Sequence, residues 1–284
     1  MNVIVGILIV LGAVAGGFVL SKGNLVALFQ PYELLIIGGA AFGAFVISNP
    51  ITLIKATFKN LPAAIKGSKF KKAFYLDALA LLYDLLTKAR KEGMMSLEGD
   101  VEEPEKSAIF GKYPNVQGDH HAIEFLTDYL RLMVGGSIKN SFELENLMDV
   151  ELDTHHEEAH QPSAALTRIA DGLPGFGIVA AVLGIVITMG SLGGPASEIG
   201  HHVAAALVGT FLGILLAYGF VAPLATLVEH TTRDESQFYK VLKTVLLASQ
   251  QGYSPQIAVE FGRKAIFSSE RPSFKELEDH VKRK

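Results

Sequence analysis

Four stretches of this chain run for the length of a bilayer with almost no ionisable side chain: Val3–Ser21, Leu34–Ile54, Leu173–Leu192 and Val203–Val228. A helix needs about 20 apolar residues to cross the hydrocarbon core, so each stretch predicts a transmembrane helix. Short joints, Lys22 to Glu33 and Gly193 to His202, link the first and last pairs, and a long polar segment from Lys55 to Gly172 separates the pairs. Inside the first stretch Ala13-Val14-Ala15 imitates a signal-peptidase site, but no Lys or Arg precedes it, so the helix is expected to be retained. Between the pairs the pattern turns amphipathic. Leu76, Leu79, Ala80, Tyr83 and Leu86 keep a helical period, as do Ile123, Leu126, Leu130 and Met133, while Gly93, Pro104 and Gly111–Gly118 punctuate. In the tail Phe238, Val241, Leu242 and Val245 share a face, and Ser273-Phe274-Lys275-Glu276 reads as a capping box opening a last helix.

The expected fold class is therefore all-α: a polytopic membrane protein with four transmembrane helices and a helical cytoplasmic domain. Its parts are a first transmembrane pair (1–54), a cytoplasmic domain of four or five helices (55–172), a second transmembrane pair (173–228) and a cytoplasmic helical tail (229–284). Charge sets the orientation. The long segment opens with Lys55, Lys59, Lys66, Lys69, Lys71 and Lys72, the tail carries Arg233, Lys240 and Lys243, and the joints hold only Lys22. By the positive-inside rule both termini face the cytoplasm.

Composition agrees. Only 19% of residues are charged, against about 25% in soluble domains. A net charge of -4 argues against a nucleic-acid binder, and the absence of cysteine excludes disulfides and thiolate metal sites. Small residues recur four apart in every span: Gly12 and Gly16, Gly39 and Gly43, Ala180 and Gly184, Gly209 and Gly213. That spacing lets helix backbones approach closely in lipid.

Between Pro174 and Leu227 the only carboxylate is Glu198, in the joint. A proton relay needs titratable groups along its path, so this chain alone is not expected to carry protons, and if it moves ions the acid comes from another subunit. The spans themselves offer neutral hydroxyls: Thr188, Ser191, Thr210 and Tyr218. Pro174 and Pro223 are placed near the cytoplasmic ends of their spans at similar depth, where lost backbone hydrogen bonds weaken each helix. His156-Glu157-Glu158-Ala159-His160 fits the H-E-x-x-H zinc pattern. It is followed at once by Pro162 and lacks a third ligand at a defined offset. His120-His121 and His201-His202 read as solvent or interface histidines. With no phosphate loop, nucleophile elbow or dinucleotide fingerprint, no enzyme activity and no cofactor are expected.

Leu173-Pro174-Gly175-Phe176-Gly177-Ile178-Val179-Ala180-Ala181 resembles the third span of MotA-type flagellar stator subunits (the MotA/PomA family, related to the ExbB/TolQ proton channels). The resemblance continues through Gly209-Thr210-Phe211-Leu212-Gly213, Pro223-Leu224, Arg90 to Glu98, and Ser268 to Phe274. It implies a stator subunit of the bacterial inner membrane. Such subunits form a ring around a B-type subunit that supplies the ion-binding aspartate, and they push on the rotor's switch protein. By the same resemblance Arg90 and Glu98 are rotor-contact charges, and Pro174 and Pro223 couple ion binding to movement. Thr210 faces the partner's aspartate, and Glu151 matches a further family acid. Ala181 stands where sodium-driven relatives carry threonine, which implies protons as the driving ion. The alternatives are an energising proton-channel subunit of an outer-membrane transport complex, a transporter permease and a membrane-anchored zinc protease.

Overall fold

Helices supply all the regular structure among the described residues of the computed structural model, which are 2–138, 140–190 and 192–283. They are α1 (Asn2–Leu20), α2 (Pro31–Ser48), α3 (Ile51–Lys66), α4 (Lys72–Glu92), α5 (Glu98–Glu102), α6 (Pro114–Gln117), α7 (His120–Val134), α8 (Ser141–Gly190), α9 (Ala196–Leu216), α10 (Ala222–Gln250), α11 (Pro255–Ala265) and α12 (Phe274–Arg283). Four helical stretches are long and apolar enough to cross a membrane: Asn2–Leu20, Leu25–Ser48, Ser141–Gly190 and Ala196–Gln250. They carry the four expected spans. Ser191, one of the hydroxyls named above, lies outside the described residues.

Proline behaves differently at three positions. The second span stops short of Ile54, because Asn49 before Pro50 is extended (φ -132°, ψ 141°) and a new helix begins at Ile51. A residue preceding proline is pushed out of the α region. Pro162 and Pro174, by contrast, lie inside the 50-residue α8. Neither ends it, so the H-E-x-x-H stretch and the third span belong to one helix.

The chain divides into two units, residues 1–67 with 159–231, and residues 68–158 with 232–284. In the first, Ile37, Ala41, Leu173, Ala180 and Ala217 form one small core, and Ala64, Leu166, Ala225 and Val228 another. Much of this unit's apolar surface stays uncovered. No residue of α1 is buried, and Ile178, Val182, Ile185, Val186 and Met189 of α8 are exposed. Such faces suit lipid or another apolar helix.

The second unit has a conventional core. Leu79, Leu81, Leu82 and Leu85 of α4 are fully enclosed, with Leu126 and Leu130 of α7 and Phe238, Val241, Leu242 and Val245 of α10. The Phe238 ring stacks on Phe70 at 4.9 Å and meets Phe74 edge-on at 5.1 Å. The segment after α11 is clasped by charge. Arg263 donates to Glu260 through Nε and Nη2 and to the Pro272 carbonyl through Nη1 at 2.9 Å, while Glu270 accepts the Lys72 amide at 2.9 Å at the start of α4. The capping box forms as expected. The Ser273 amide donates to the Glu276 carboxylate at 2.6 Å, and the Glu276 amide donates to the Ser273 hydroxyl at 3.2 Å.

Candidate functional site

Two helices of the first unit meet at their backbones. A Cβ built on Gly213 of α9 would lie 2.8 Å from the Cα of Gly177 and from the Leu173 carbonyl oxygen of α8. One on Gly184 would lie 2.8 Å from the Ala206 Cβ. One on Gly177 would lie 3.0 Å from the Gly209 carbonyl oxygen and 3.4 Å from the Thr210 Cα. The spacing of Ala180, Gly184, Gly209 and Gly213 thus resolves into a single seam. Gly12, Gly16, Gly39 and Gly43 share the motif but have no atom within 4 Å of a Cβ.

The seam sets Ala181 and Thr210 at one level. The Ala181 amide nitrogen would lie 3.4 Å from a Cβ on Gly209, the residue before Thr210. Both residues are half-buried, at the flank of the seam rather than within it. Thr188 bonds back to the Gly184 carbonyl at 2.8 Å, and Tyr218 is exposed. The two prolines are brought to different levels. Leu173, beside Pro174, lies against Gly213, whereas Pro223 follows Gly213 by ten residues, close to Ala225, which clusters with Leu166. At 1.5 Å rise per residue the offset is on the order of 10 Å. They do not share a depth, because Pro223 lies in α10 beyond the end of α9, where Ala225 clusters with Leu166, which precedes Pro174 by about two turns of α8.

Five residues with π-helical geometry, Ala217–Val221, lie immediately before Pro223, and the Ala222 amide donates to the Ala217 carbonyl. The wide turn absorbs the proline. In a regular α-helix the ring of Pro223 would clash with the Gly219 carbonyl and leave it unpaired.

One acid was not legible as part of this site. Glu33, in the first turn of α2, is buried at 8% exposure, and its Oε2 is enclosed without a hydrogen-bond partner among the described residues. It would lie 3.0 Å from a Cβ on Gly209. In sequence Glu33 closes a joint after Pro31, where an acid ordinarily complements a helix dipole in water. Only packing reveals that the carboxylate is enclosed.

In the second unit Arg90 lies in the last turn of α4 and Glu98 opens α5, flanking a turn that Gly93 permits with φ 89° and the enclosed Leu97 anchors. Paired charges frame them. Lys88 binds Asp100 at 2.7 Å, and Arg131 binds Glu102 at 2.7 Å, holding the Glu102 carboxyl below its ordinary range. Arg90 and Glu98 are exposed and make no ion pair among the described residues. Glu151 accepts the Tyr129 hydroxyl, joining α8 to α7. Burial, reinforced by that carboxylate, pushes the Tyr129 phenol well above its usual value. With His121, Glu124, Asp128 and His155, Glu151 lines a cleft of about 120 Å³. Of the zinc-like stretch, His156 contacts the Ser236 hydroxyl at 3.3 Å. His120, His121 and Glu124 bring ligand atoms within 4.8 Å on an exposed face.

Residues 4–93 match the family model described as Motility protein A N-terminal, and residues 119–240 match the MotA/TolQ/ExbB proton channel family. Motility protein A of Escherichia coli is 51% identical over 99% of this chain and 95% of that protein. The Salmonella typhimurium protein of that name is 50% identical over the same shares. Among solved structures, that of C. jejuni MotAB has a chain with TM-score 0.79 and 20% identity, covering 96% of this chain and 98% of its own.

Proposed function

We propose a function from one premise: this chain belongs to the motility protein A family. It is a flagellar stator subunit of the proton-channel family that includes MotA, TolQ and ExbB. In our reading it surrounds, as a ring with other copies, a B-type subunit that supplies the ion-binding aspartate. Protons pass at the flank of the α8–α9 seam, where Thr210 offers a hydroxyl and Ala181 only a methyl. A methyl cannot replace water around sodium, which supports protons as the driving ion.

The observation that carries this reading is the seam itself. It brings Ala181 and Thr210 to one level on a half-exposed flank of two spans that hold no carboxylate between Pro174 and Leu227 other than Glu198 of the joint. The uncovered apolar faces of α1 and α8 support neighbours of the same chemistry, lipid or further helices. Both termini are read as cytoplasmic, from the lysines that follow the second span and the basic residues that follow the fourth. Pro174 and the wide turn before Pro223 are the places where the helices yield. Glu151 acts by fixing α7 against α8.

Arg90 and Glu98 are read as the rotor contact, because they stand exposed and make no ion pair among the described residues, beside the Lys88–Asp100 and Arg131–Glu102 pairs. Exposed pairs contribute about 0–1 kcal/mol each, so a contact built from them releases quickly, as stepping requires. One charge crossing 100 mV supplies about 2.3 kcal/mol, enough to break such contacts once per ion.

The test is co-purification of a B-type membrane protein from native cells, followed by swimming assays with Arg90→Glu and Glu98→Lys. Motility should fall in both while co-purification persists. Unimpaired swimming in both reversals removes the rotor assignment, and failure to recover any B-type partner removes the channel.

A further inference from the structure

Buried polar groups in folded proteins are nearly always hydrogen-bonded, and in lipid an unmatched carboxylate is costlier still. Glu33 is nine-tenths buried in the second span, and its Oε2 has no partner among the described residues. Among the described residues it makes no ion pair. The titratable groups of α9, Glu198, His201 and His202, lie toward the joint, the nearest seven residues before Gly209 and so about 10 Å along the axis. α8 has none after Asp171, α1 has none, and the remaining nearby groups are Lys22 in the first joint, Tyr32 on α2 and Tyr218 in the wide turn.

Two further features favour a working carboxyl over a packing accident. Gly209 leaves it room, since any larger residue would place a Cβ 3.0 Å from Oε2. A Cβ on Gly209 would also lie 3.4 Å from the Ala181 amide nitrogen, and Gly209 precedes Thr210, so the carboxyl borders the seam beside the flank assigned to the ion path. Counted from Val203, where the apolar run of the fourth span begins, Gly209 is six residues in, about 9 Å. An acid at that depth lies between the joint and the centre of a hydrocarbon core about 30 Å thick.

We propose that Glu33 is a proton-relay residue. Its carboxylate accepts a proton arriving from the joint side, forming an O–H bond at Oε2. The O–H bond then breaks, the proton passing directly or through water to the partner's carboxylate at the Thr210 flank, and Glu33 returns to the carboxylate with no net consumption. The enclosed, unmatched oxygen is the acceptor, and the cost of leaving it charged drives its loading. This inference deepens the proposed channel and rests on it.

The experiment reconstitutes the chain with its B-type partner in liposomes and follows proton flux with an entrapped pH dye while the joint-side pH is varied. Glu33→Gln keeps the shape and removes the titration. Flux should drop on the order of tenfold, less than the 10²–10⁴-fold typical of a positioned proton-transfer group because the partner's acid remains. Its dependence on joint-side pH should flatten, while co-purification and the unfolding midpoint stay at wild-type values. Glu33→Asp should recover part of the flux with a displaced pH profile. That profile also decides the matter if the Gln variant fails to fold. A second readout is the wild-type-minus-Glu33→Gln infrared difference on lowering the joint-side pH, which should retain one protonated-carboxyl band beyond those of the partner's acid and the exposed carboxyls. Wild-type flux and pH profile in Glu33→Gln overturn the relay and leave the channel standing. A wild-type complex that conducts no protons overturns both.

Discussion

Replacing Gly213 by alanine probes the α8–α9 seam most directly. The added Cβ would lie 2.8 Å from the Gly177 Cα and the Leu173 carbonyl oxygen, about 0.6 Å short of the 3.4 Å at which ordinary contact begins. Both obstacles are backbone, so no rotamer change relieves them and the helices themselves must part. Overpacking of this kind costs about 1–3 kcal/mol. Alanine's better helix propensity returns up to about 1 kcal/mol, which obscures a single measurement. Gly43→Ala corrects for it. It carries the same propensity gain in the same motif, but its Cβ meets nothing within 4 Å. The difference between the two variants therefore isolates the contact, and it should be about 1–3 kcal/mol against Gly213→Ala. Equilibrium unfolding of the detergent-solubilised chain, followed by helical circular dichroism, measures it. Two variants agreeing within about 0.5 kcal/mol, the usual scatter of independent sites, would refute the seam.

Two further outcomes follow from the second unit. Tyr129→Phe deletes the donor to Glu151 and should cost about 1.5 kcal/mol, the low end for a hydrogen bond to a charged group. Glu151→Gln, which still accepts, should cost less in the same thermal unfolding series. Glu260 is held below its ordinary 4.5 by the Arg263 hydrogen bonds and charge, against a smaller opposing effect of burial. A carboxyl depressed in the folded state stabilises above its unfolded value and loses that contribution as pH falls through its folded one. Melting temperature should therefore decline below about pH 4.5 more steeply in wild type than in Glu260→Gln, and parallel pH curves would show that the clasp carries no linkage.

The four spans were readable because lipid imposes a length on apolar sequence that few soluble helices match. The packed faces of α4, α7 and α10 were readable through their period, since Leu79, Leu126 and Val245 are enclosed as their spacing requires. Proline was ambiguous because it acts locally while its tolerance is decided by neighbours. Pro50 ends a helix, yet Pro162 and Pro174 do not. The small-residue motif could not say which of its copies would meet, because Gly39 and Gly209 look alike until a second helix is placed beside one of them. Glu33 was hidden by the same limit. An acid after a proline at a helix start is what water also favours, and nothing in its own neighbourhood encodes the glycine that covers it.

The wide turn at Ala217–Val221 holds one residue more than a regular helix would use over that rise. That surplus is slack. Drawing it out would advance the helix on its Thr210 side by about 1.5 Å and swing it by roughly 100° relative to the residues beyond Ala222. Displacements of 1–2 Å are the usual currency of helix switching. A rod with such a slip joint built in can turn its Thr210 end relative to the turns just beyond Ala222, and Pro223, which has no amide to give, removes one bond that would resist the slip.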